Sequence, residues 1–356
     1  MEDDITRLAR QDINVLQPYQ SARTIGGQGH IFLNANESPL LNCISVNNLI
    51  LNRYPECQPE QLITNYSAYS GINKKNILVC RGADEGIELL MRVFCTPGQD
   101  IVITCPPTYT MYAKLAEIYG IENIKIPMIQ NKKLNFSKIV KHIKRTKLIY
   151  LCRPNNPTGY VINVLDIVKV LEITKSKAIV VIDEAYIEFC IEKNLVNLLH
   201  QYNHLVILRT LSKAFGLAGI RCGFILAGLK IIDLLKKIIA PYPLSTPSIY
   251  IASRSLDEQN IFTMKERVYQ LNQNRNFLVH HLKKNSIVKY IFSSEANYIL
   301  VKFINSSKIF NMLWKQGIIL RNQDHEIQLS GCIRISIGTQ EECINLITAL
   351  KRISLH

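Results

Sequence analysis

The sequence predicts an α/β fold built on a mostly parallel β-sheet. Between residues 77 and 227, short apolar runs alternate with amphipathic helical runs. The apolar runs, which we expect to be strands, cover residues 77–80, 101–104, 148–152, 178–182, 205–208 and 223–227. Continuously apolar strands that alternate with crossover helices are typical of a parallel sheet with helices on both faces.

Apolar periodicity predicts the helices between these strands. Ile87, Leu90, Met91 and Phe94 are spaced i, i+3, i+4 and i+7, which places them on one helical face. Residues 164–173 repeat this spacing. We therefore expect helices between the strands, packed on the sheet through these faces.

The pattern changes after about residue 245. Prolines at positions 241, 243 and 247 interrupt the chain, a helical region over 249–284 follows, and strands are expected at 298–303 and 333–337. A chain of 356 residues is long enough for two domains. We predict an N-terminal arm over residues 1–29, a large domain over 51–246, and a smaller α+β domain made of 30–50 and 247–356.

The formal net charge of +14 raises the question of a nucleic-acid partner. The lysines are spread through the chain, and no arginine-rich arm, zinc finger or RNA-binding signature accompanies them. We therefore expect no nucleic-acid partner. A positive field of this kind would instead attract phosphorylated small molecules.

Composition also predicts the compartment. The first ten residues are polar, with no apolar signal region, and no apolar run approaches the ~18 residues that cross a bilayer. The ten cysteines form no C-x-x-C pair, and no histidine cluster has the spacing of metal ligands. We expect a cytoplasmic protein that has no membrane partner, no disulfide and no metal.

Lys213 is the first candidate for chemistry. It follows the strand over 205–208, between Ser212 and a run of small residues. A lysine is nucleophilic only as the neutral amine, so a partly buried site beside other cations favours Schiff-base chemistry. Arg221, farther along, could bind a phosphate with both arms of its guanidinium.

Polar residues follow other strands of the predicted sheet at the point where each strand ends. Ligands of open parallel sheets bind at these carboxyl ends, so the residues there are candidate site residues. They are Ala83, Asp84, Tyr109, Asn155, Asn156, Asp183, Tyr186, Thr210 and Ser212. Ala83 and Asp84 open a helix whose free N–H groups could bind phosphate.

Three motifs together resemble the fold-type I aminotransferases, which depend on pyridoxal phosphate. They are N-P-T-G at 156–159, D-E-A-Y at 183–186 and S-K-x-x-x-L-x-G-x-R at 212–221. Three further stretches are similar to the histidinol-phosphate aminotransferase family, and the resemblance extends over nearly the whole chain. These stretches are R-Y-P-E at 53–56, R-G-A-D-E-G at 81–86 and A-P-Y-P-L-S-T-P at 240–247.

This resemblance implies roles around the cofactor ring. Lys213 would form the aldimine and then move the proton between the substrate Cα and the cofactor. Asp183 would pair with the pyridine nitrogen and keep it protonated. Asn156 and Tyr186 would bind the phenolate oxygen, and Tyr109 would stack on the ring.

The same resemblance implies a phosphate site and a homodimer. The phosphate would be held by the backbone N–H groups of Ala83 and Asp84 and by Thr210, Ser212 and Arg221. Tyr54 would reach this phosphate from the other subunit. The substrate anions would bind Arg334 and Arg321, with Tyr19 and Asn34 as further contacts, although either arginine could instead form an interdomain salt bridge.

The implied function is a ping-pong transamination between L-histidinol phosphate and 2-oxoglutarate, which yields imidazole acetol phosphate and L-glutamate in histidine biosynthesis. Two alternatives share the same chemical groups: a decarboxylase of threonine phosphate and an aromatic amino-acid transaminase. We do not expect the sensor domain of a transcription regulator, because residues 1–32 are too few for a DNA-binding module.

Overall fold

The computed structural model describes residues 29–40, 44, 49–129 and 133–354. In these ranges the strands are β1 (Ile31–Phe32), β2 (Ile77–Cys80), β3 (Ile101–Thr104), β4 (Glu122–Lys125), β5 (Thr146–Cys152), β6 (Ile179–Asp183), β7 (Leu205–Thr210), β8 (Gly223–Ala227), β9 (Val288–Ile291), β10 (Tyr298–Phe303), β11 (Ile318–Ile319), β12 (Arg321–Asn322) and β13 (Cys332–Ser336). The α-helices are α1 (Glu60–Ser70), α2 (Gly82–Phe94), α3 (Met111–Ile118), α4 (Phe136–His142), α5 (Val164–Thr174), α6 (Leu229–Lys236), α7 (Thr246–Ser255), α8 (Glu258–Leu282), α9 (Ser306–Lys315) and α10 (Gln340–Ser354).

A seven-stranded sheet forms the centre of the molecule, in the order β2-β8-β7-β6-β5-β3-β4. Strands β4, β3, β5, β6 and β7 are parallel to one another, whereas β8 is antiparallel to both β2 and β7. The α/β fold with a mostly parallel sheet is therefore confirmed. Because an antiparallel strand begins where its neighbours end, the start of β8 lies at the carboxyl edge of β2 and β7.

The sequence predicted the continuously apolar strands of this sheet but not β4, which is mostly polar. β2, β3 and β8 have the predicted bounds, and β6 is shifted by one residue so that it includes Asp183. The sequence did not indicate β4, in which Ile124 is the one apolar residue and only the two middle residues are half-buried. This strand lies at the sheet edge and pairs with β3 alone, so only one of its sides needs a partner.

The C-terminal part contains a four-stranded antiparallel sheet in the order β12-β13-β10-β9. The predicted helix over 249–284 is two helices, α7 and α8. Ser245 caps α7 by accepting the backbone N–H of Ser248, and Asn260 binds the carbonyl of Arg254 at the break. α8 is the longer of the two, with 25 residues.

The two faces of the central sheet pack in separate apolar clusters. On one face Val102, Leu208 and Ile225 pack with α2. The cluster on the other face includes Ile207 and also Leu271 of α8, and it extends to β13. Because this second core continues from the central sheet into the C-terminal part, the predicted division into an arm and two domains stays a prediction.

None of the helices in the described ranges has the length and apolar character needed to cross a membrane. Of the cysteines within those ranges, Cys57 is exposed and the others are buried as free thiols. Histidine, cysteine, aspartate and glutamate side chains do not gather there into a group of three that could hold a metal ion.

Candidate active site

A cavity of about 250 Å³ opens at the carboxyl ends of β2, β5, β6 and β7. Most of the residues that the sequence singled out line it: Asn34, Ala83, Asp84, Tyr109, Asn156, Asp183, Tyr186, Thr210, Ser212, Lys213, Arg221, Arg321 and Arg334. Tyr54 does not line this cavity, and Tyr19 lies outside the described residues. The sheet edge therefore brings together residues that are up to 300 positions apart in the chain.

Lys213 follows the end of β7 and is half-buried in the cavity. Its Nζ donates a hydrogen bond to the carbonyl of Ala35 over 3.2 Å. Partial loss of water, together with the nearby Arg334 guanidinium, lowers the pKa of Lys213 to about 8. The neutral amine that a nucleophilic lysine requires is therefore accessible near physiological pH.

Asp183 is the last residue of β6 and is buried in the floor of the cavity. Its carboxylate accepts the hydroxyl of Tyr112 over 2.7 Å and the backbone N–H of Ala185 over 3.0 Å. Burial raises the pKa of Asp183 to about 6, although both hydrogen bonds oppose this. A buried carboxylate favours a cationic partner, such as a protonated ring nitrogen, that compensates its charge.

Tyr186 lies between the central sheet and the C-terminal part. Its hydroxyl oxygen accepts Asn36 Nδ2 over 3.1 Å and Asn156 Nδ2 over 3.4 Å. Burial raises the pKa of Tyr186 above its ordinary value, so the phenol stays protonated. A neutral phenol at this point can donate a hydrogen bond into the cavity.

The first turn of α2 forms one end of the cavity. Gly82, which begins this helix, has a φ of 73°, a conformation that glycine adopts without steric cost. A Cβ on Gly223 would lie 2.6 Å from the Gly82 carbonyl carbon, so only glycine lets β8 start so close to this turn. Free N–H groups at the start of the helix, near Ala83 and Asp84, favour an anion here.

The predicted phosphate-side residues form two neighbouring hydrogen-bonded groups, and one of these includes Tyr109. Asp84 accepts Tyr109 Oη over 2.9 Å and Arg221 Nη2 over 3.4 Å. The hydroxyls of Thr210 and Ser212 lie 2.8 Å apart beside them. Donors at the end of β7, just before β8 and at the start of α2 therefore face the same end of the cavity.

Arg334 and Arg321 face each other across the β12–β13 pair. Arg334 is buried and donates from Nη1 to Asn156 Oδ1 over 2.7 Å and from Nη2 to the Asn34 carbonyl over 2.8 Å. Both acceptors are neutral, so these contacts leave the positive charge of Arg334 uncompensated. The geometry favours an anion site over an interdomain salt bridge for this arginine.

Sequence reasoning did not find three residues that support this cavity. Tyr112 bonds Asp183, Asn36 bonds Tyr186, and Tyr298 donates to the Asn155 carbonyl over 2.9 Å while its ring packs edge-on against Tyr186. The spacing of Tyr109 and Tyr112, one helical turn apart, was the only signal for the first of them.

The cavity fits pyridoxal phosphate in its chemistry. It offers an amine of lowered pKa, a buried carboxylate and a helix start beside an arginine, which match an aldehyde, a pyridine nitrogen and a phosphate. The residues that would hold these groups are Lys213, Asp183 and the phosphate-side group of Ala83, Asp84, Thr210, Ser212 and Arg221.

Comparison with known proteins agrees with this geometry. The sequence model of the family described as aminotransferase class I and II matches residues 41–350. The chain belongs to this aminotransferase family. A histidinol-phosphate aminotransferase of Buchnera aphidicola subsp. Melaphis rhois is 52% identical over 353 residues, which cover 99% of this chain and 98% of that protein.

Two further matches are to a longer protein and to a solved structure. A bifunctional histidine biosynthesis protein of Photorhabdus laumondii is also 52% identical, and the match covers 99% of this chain but only 44% of that longer protein. The crystal structure of histidinol-phosphate aminotransferase from Sinorhizobium meliloti, in complex with pyridoxal-5'-phosphate, superposes with a TM-score of 0.85. That structure is 21% identical and covers 98% of this chain and 97% of its own, so it shows the shared fold.

Proposed function

We propose that this aminotransferase interconverts L-histidinol phosphate and 2-oxoglutarate with imidazole acetol phosphate and L-glutamate, in L-histidine biosynthesis and with pyridoxal phosphate as cofactor. The observation that carries the proposal is that Lys213, Asp183 and Arg334 line one cavity in a chain that is 52% identical to histidinol-phosphate aminotransferases. Both substrates would use this one cavity in turn, which supports a ping-pong mechanism.

When bound, pyridoxal phosphate supplies an electron sink for the charge that develops at the substrate Cα. Lys213 would hold the cofactor through its amine, and this amine would also serve as the base that moves the proton of the substrate Cα. Asp183 stabilises the protonated pyridine nitrogen, since a buried carboxylate gains most from a cationic partner. Asn156 and Tyr186 would bind the phenolate oxygen, and Tyr109 would pack on the ring.

Arg334 and Arg321 would bind the substrate anions, with Asn34 beside them. A guanidinium donates a bidentate pair of hydrogen bonds to a carboxylate or to a phosphate. One pair of arginines can therefore serve glutamate in one half-reaction and a phosphorylated amine in the other. Tyr19 stays a predicted contact, since it lies outside the described residues.

We also infer that the active form is a homodimer in which Tyr54 completes the partner's site. The side chain of Tyr54 is 81% exposed and stacks on Tyr242, with ring centroids 4.5 Å apart. Ile50 and Leu51, just before it, are exposed as well. Contiguous exposed apolar and aromatic groups support an interface with a second copy. The cytoplasmic location stays a prediction.

Decarboxylation of threonine phosphate is the main alternative, since it uses the same lysine, aspartate and arginine residues. The full-length identity to histidinol-phosphate aminotransferases favours transamination. Aromatic amino-acid transamination is a third possibility for the same cavity.

Absorbance spectra of the cofactor-loaded protein, after separate addition of histidinol phosphate, threonine phosphate and phenylalanine, test the three functions. Conversion of the bound cofactor to its amine form by histidinol phosphate at low concentration is the expected result. A response to threonine phosphate alone, with release of carbon dioxide, would favour the decarboxylase. The absence of any bound cofactor would refute all three.

A further inference from the structure

We propose that Asn36 is a positioning residue that sets the direction in which Tyr186 donates its hydroxyl proton. The inference rests on the proposed function, because it concerns the hydrogen bond from Tyr186 to the cofactor. Asn36 was not among the residues that the motifs indicated, and it belongs to the segment that follows β1.

The backbone of Asn36 is fixed on both sides. The residue is 1% exposed, and its φ of 53° is a left-handed conformation that asparagine tolerates better than most residues. Its N–H donates to Ser336 Oγ over 2.8 Å, and its carbonyl accepts Asn297 Nδ2 over 3.0 Å. The C-terminal part of the chain therefore holds this residue in place.

Ser336 also determines how the Asn36 amide is oriented. The Ser336 hydroxyl already accepts the backbone N–H of Asn36, so its own proton is available for Asn36 Oδ1, which lies 3.0 Å away. With Oδ1 occupied as an acceptor, the Nδ2 group is the one that faces Tyr186, at 3.1 Å from Oη. Asn36 is therefore a donor to the phenol.

The Tyr186 oxygen receives a second donor from Asn156, over 3.4 Å. A phenol oxygen that accepts two N–H groups can only use its own proton in a third direction. Tyr186 lines the cavity, where the phenolate oxygen of the cofactor would accept this proton. Asn36 provides the shorter of the two contacts, and Asn156 is shared with Arg334, so Asn36 contributes most to the orientation.

Asn36→Asp is the sharpest test because it keeps the shape of the side chain but replaces the donor with an acceptor. The carboxylate would then draw the Tyr186 proton away from the cavity. We expect the affinity of the cofactor-free protein for pyridoxal phosphate to fall about five- to tenfold, the effect of one lost hydrogen bond. The pH at which the absorbance of the bound cofactor changes should shift as well.

Two further variants separate this role from a folding defect. Asn36→Gly keeps the left-handed backbone available and removes only the side chain, so it should weaken cofactor binding by less than Asn36→Asp does. Ser336→Ala removes both the acceptor of the Asn36 backbone N–H and the donor that orients its amide, and it should weaken binding to a smaller degree than Asn36→Asp does. Thermal melting of each cofactor-free variant establishes that it is folded.

A double-mutant cycle with Tyr186→Phe tests whether Asn36 acts through the Tyr186 hydroxyl. If Asn36 acts through the Tyr186 hydroxyl, Asn36→Asp will change cofactor affinity little in the Tyr186→Phe background. An equal loss in both backgrounds, or a folded Asn36→Asp protein with wild-type affinity and absorbance, would overturn the inference. Failure of the proposed function would appear differently, because the wild-type protein itself would not bind the cofactor or turn over.

Discussion

Arg209 binds Glu184 through Nε and Nη2, which lie 2.9 and 2.7 Å from Glu184 Oε2, in a part of the molecule that is closed to water. Glu184 directly follows Asp183, and Arg209 directly precedes Thr210, so the pair joins the ends of β6 and β7. Burial alone would lower the pKa of Arg209, but Glu184 and Glu188 raise it above its ordinary value. The arginine therefore stays charged, and the pair holds the two strand ends that carry Asp183 and Thr210.

Removing one member of this pair should be costly. Arg209→Met leaves the buried carboxylate of Glu184 without its main partner and is expected to lower the free energy of unfolding by about 3–5 kcal/mol. Urea denaturation measures this change. Arg145→Met is the matched control, because it breaks an exposed ion pair with Glu122 that spans 3.0 Å, and a loss of about 0.5 kcal/mol or less is expected. Similar losses in the two variants would contradict this assignment.

Lys213→Ala should abolish transamination and leave the fold intact. Loss of the group that moves the Cα proton is expected to lower kcat by at least about a thousandfold. Coupled turnover of histidinol phosphate with 2-oxoglutarate measures the loss, and circular dichroism checks the fold. Lys193→Ala, which removes a partly exposed ion pair with Glu295, serves as the control and should retain activity. Turnover by Lys213→Ala at wild-type rates would remove the central assignment.

Asp183→Ala should reduce turnover nearly as much, because the pyridine nitrogen loses the carboxylate that keeps it protonated. Tyr112→Phe is a milder change at the same carboxylate. It removes the 2.7 Å hydrogen bond to Asp183 but keeps the carboxylate, so a loss of about five- to tenfold in kcat is expected. Asp183→Ala with wild-type kcat, or Tyr112→Phe as damaging as Asp183→Ala, would show that Asp183 does not act in this way.

Capture of pyridoxal phosphate by the cofactor-free protein should depend on pH with a midpoint set by Lys213. The pKa of this amine is lowered to about 8, so it is protonated and unreactive below that pH and neutral above it. The rate of capture should therefore rise with pH and level off above about 8. Because Arg334 contributes to the lowered pKa, Arg334→Gln should move the midpoint to higher pH. A midpoint that does not move in this variant would exclude the charge of Arg334 as a cause.

Mixed dimers test whether Tyr54 serves the partner's site. Lys213→Ala and Tyr54→Ala proteins, each of low activity, are unfolded, mixed in equal amounts and refolded together. If Tyr54 crosses the interface, each mixed dimer has one site that carries both defects and one that carries neither, so about a quarter of wild-type activity returns. Were Tyr54 to serve its own subunit, mixing would restore nothing.

The sequence predicted those parts of the fold and site that depend on local patterns. Four apolar residues in a row were sufficient to place β2, and the polar residues at strand ends, such as Asp183, were found because parallel strands end at a common edge. Strand β4 was missed because one isoleucine among three polar residues gives no strand signal. It forms because β3 has an edge on which another strand can pair, and this pairing cannot be read from a local sequence pattern.

Support from distant parts of the chain could not be predicted in this way. Asn36 faces Tyr186 only because Ser336, 300 positions later, binds both its backbone and its amide. Tyr112 reaches Asp183 from a helix on the other side of β5, 71 positions earlier. Both contacts depend on how separate elements pack, and a single sequence does not encode that in its spacing.

The carbonyls of Asn34 and Ala35 already bind Arg334 and Lys213. The Arg334 guanidinium is thus solvated by the protein itself, so an acid that binds there would exchange one oxygen for another without stripping water from a bare cation. Two consecutive residues therefore contact both the candidate anion site and the candidate reactive lysine, and a change in the backbone of this short segment would affect both.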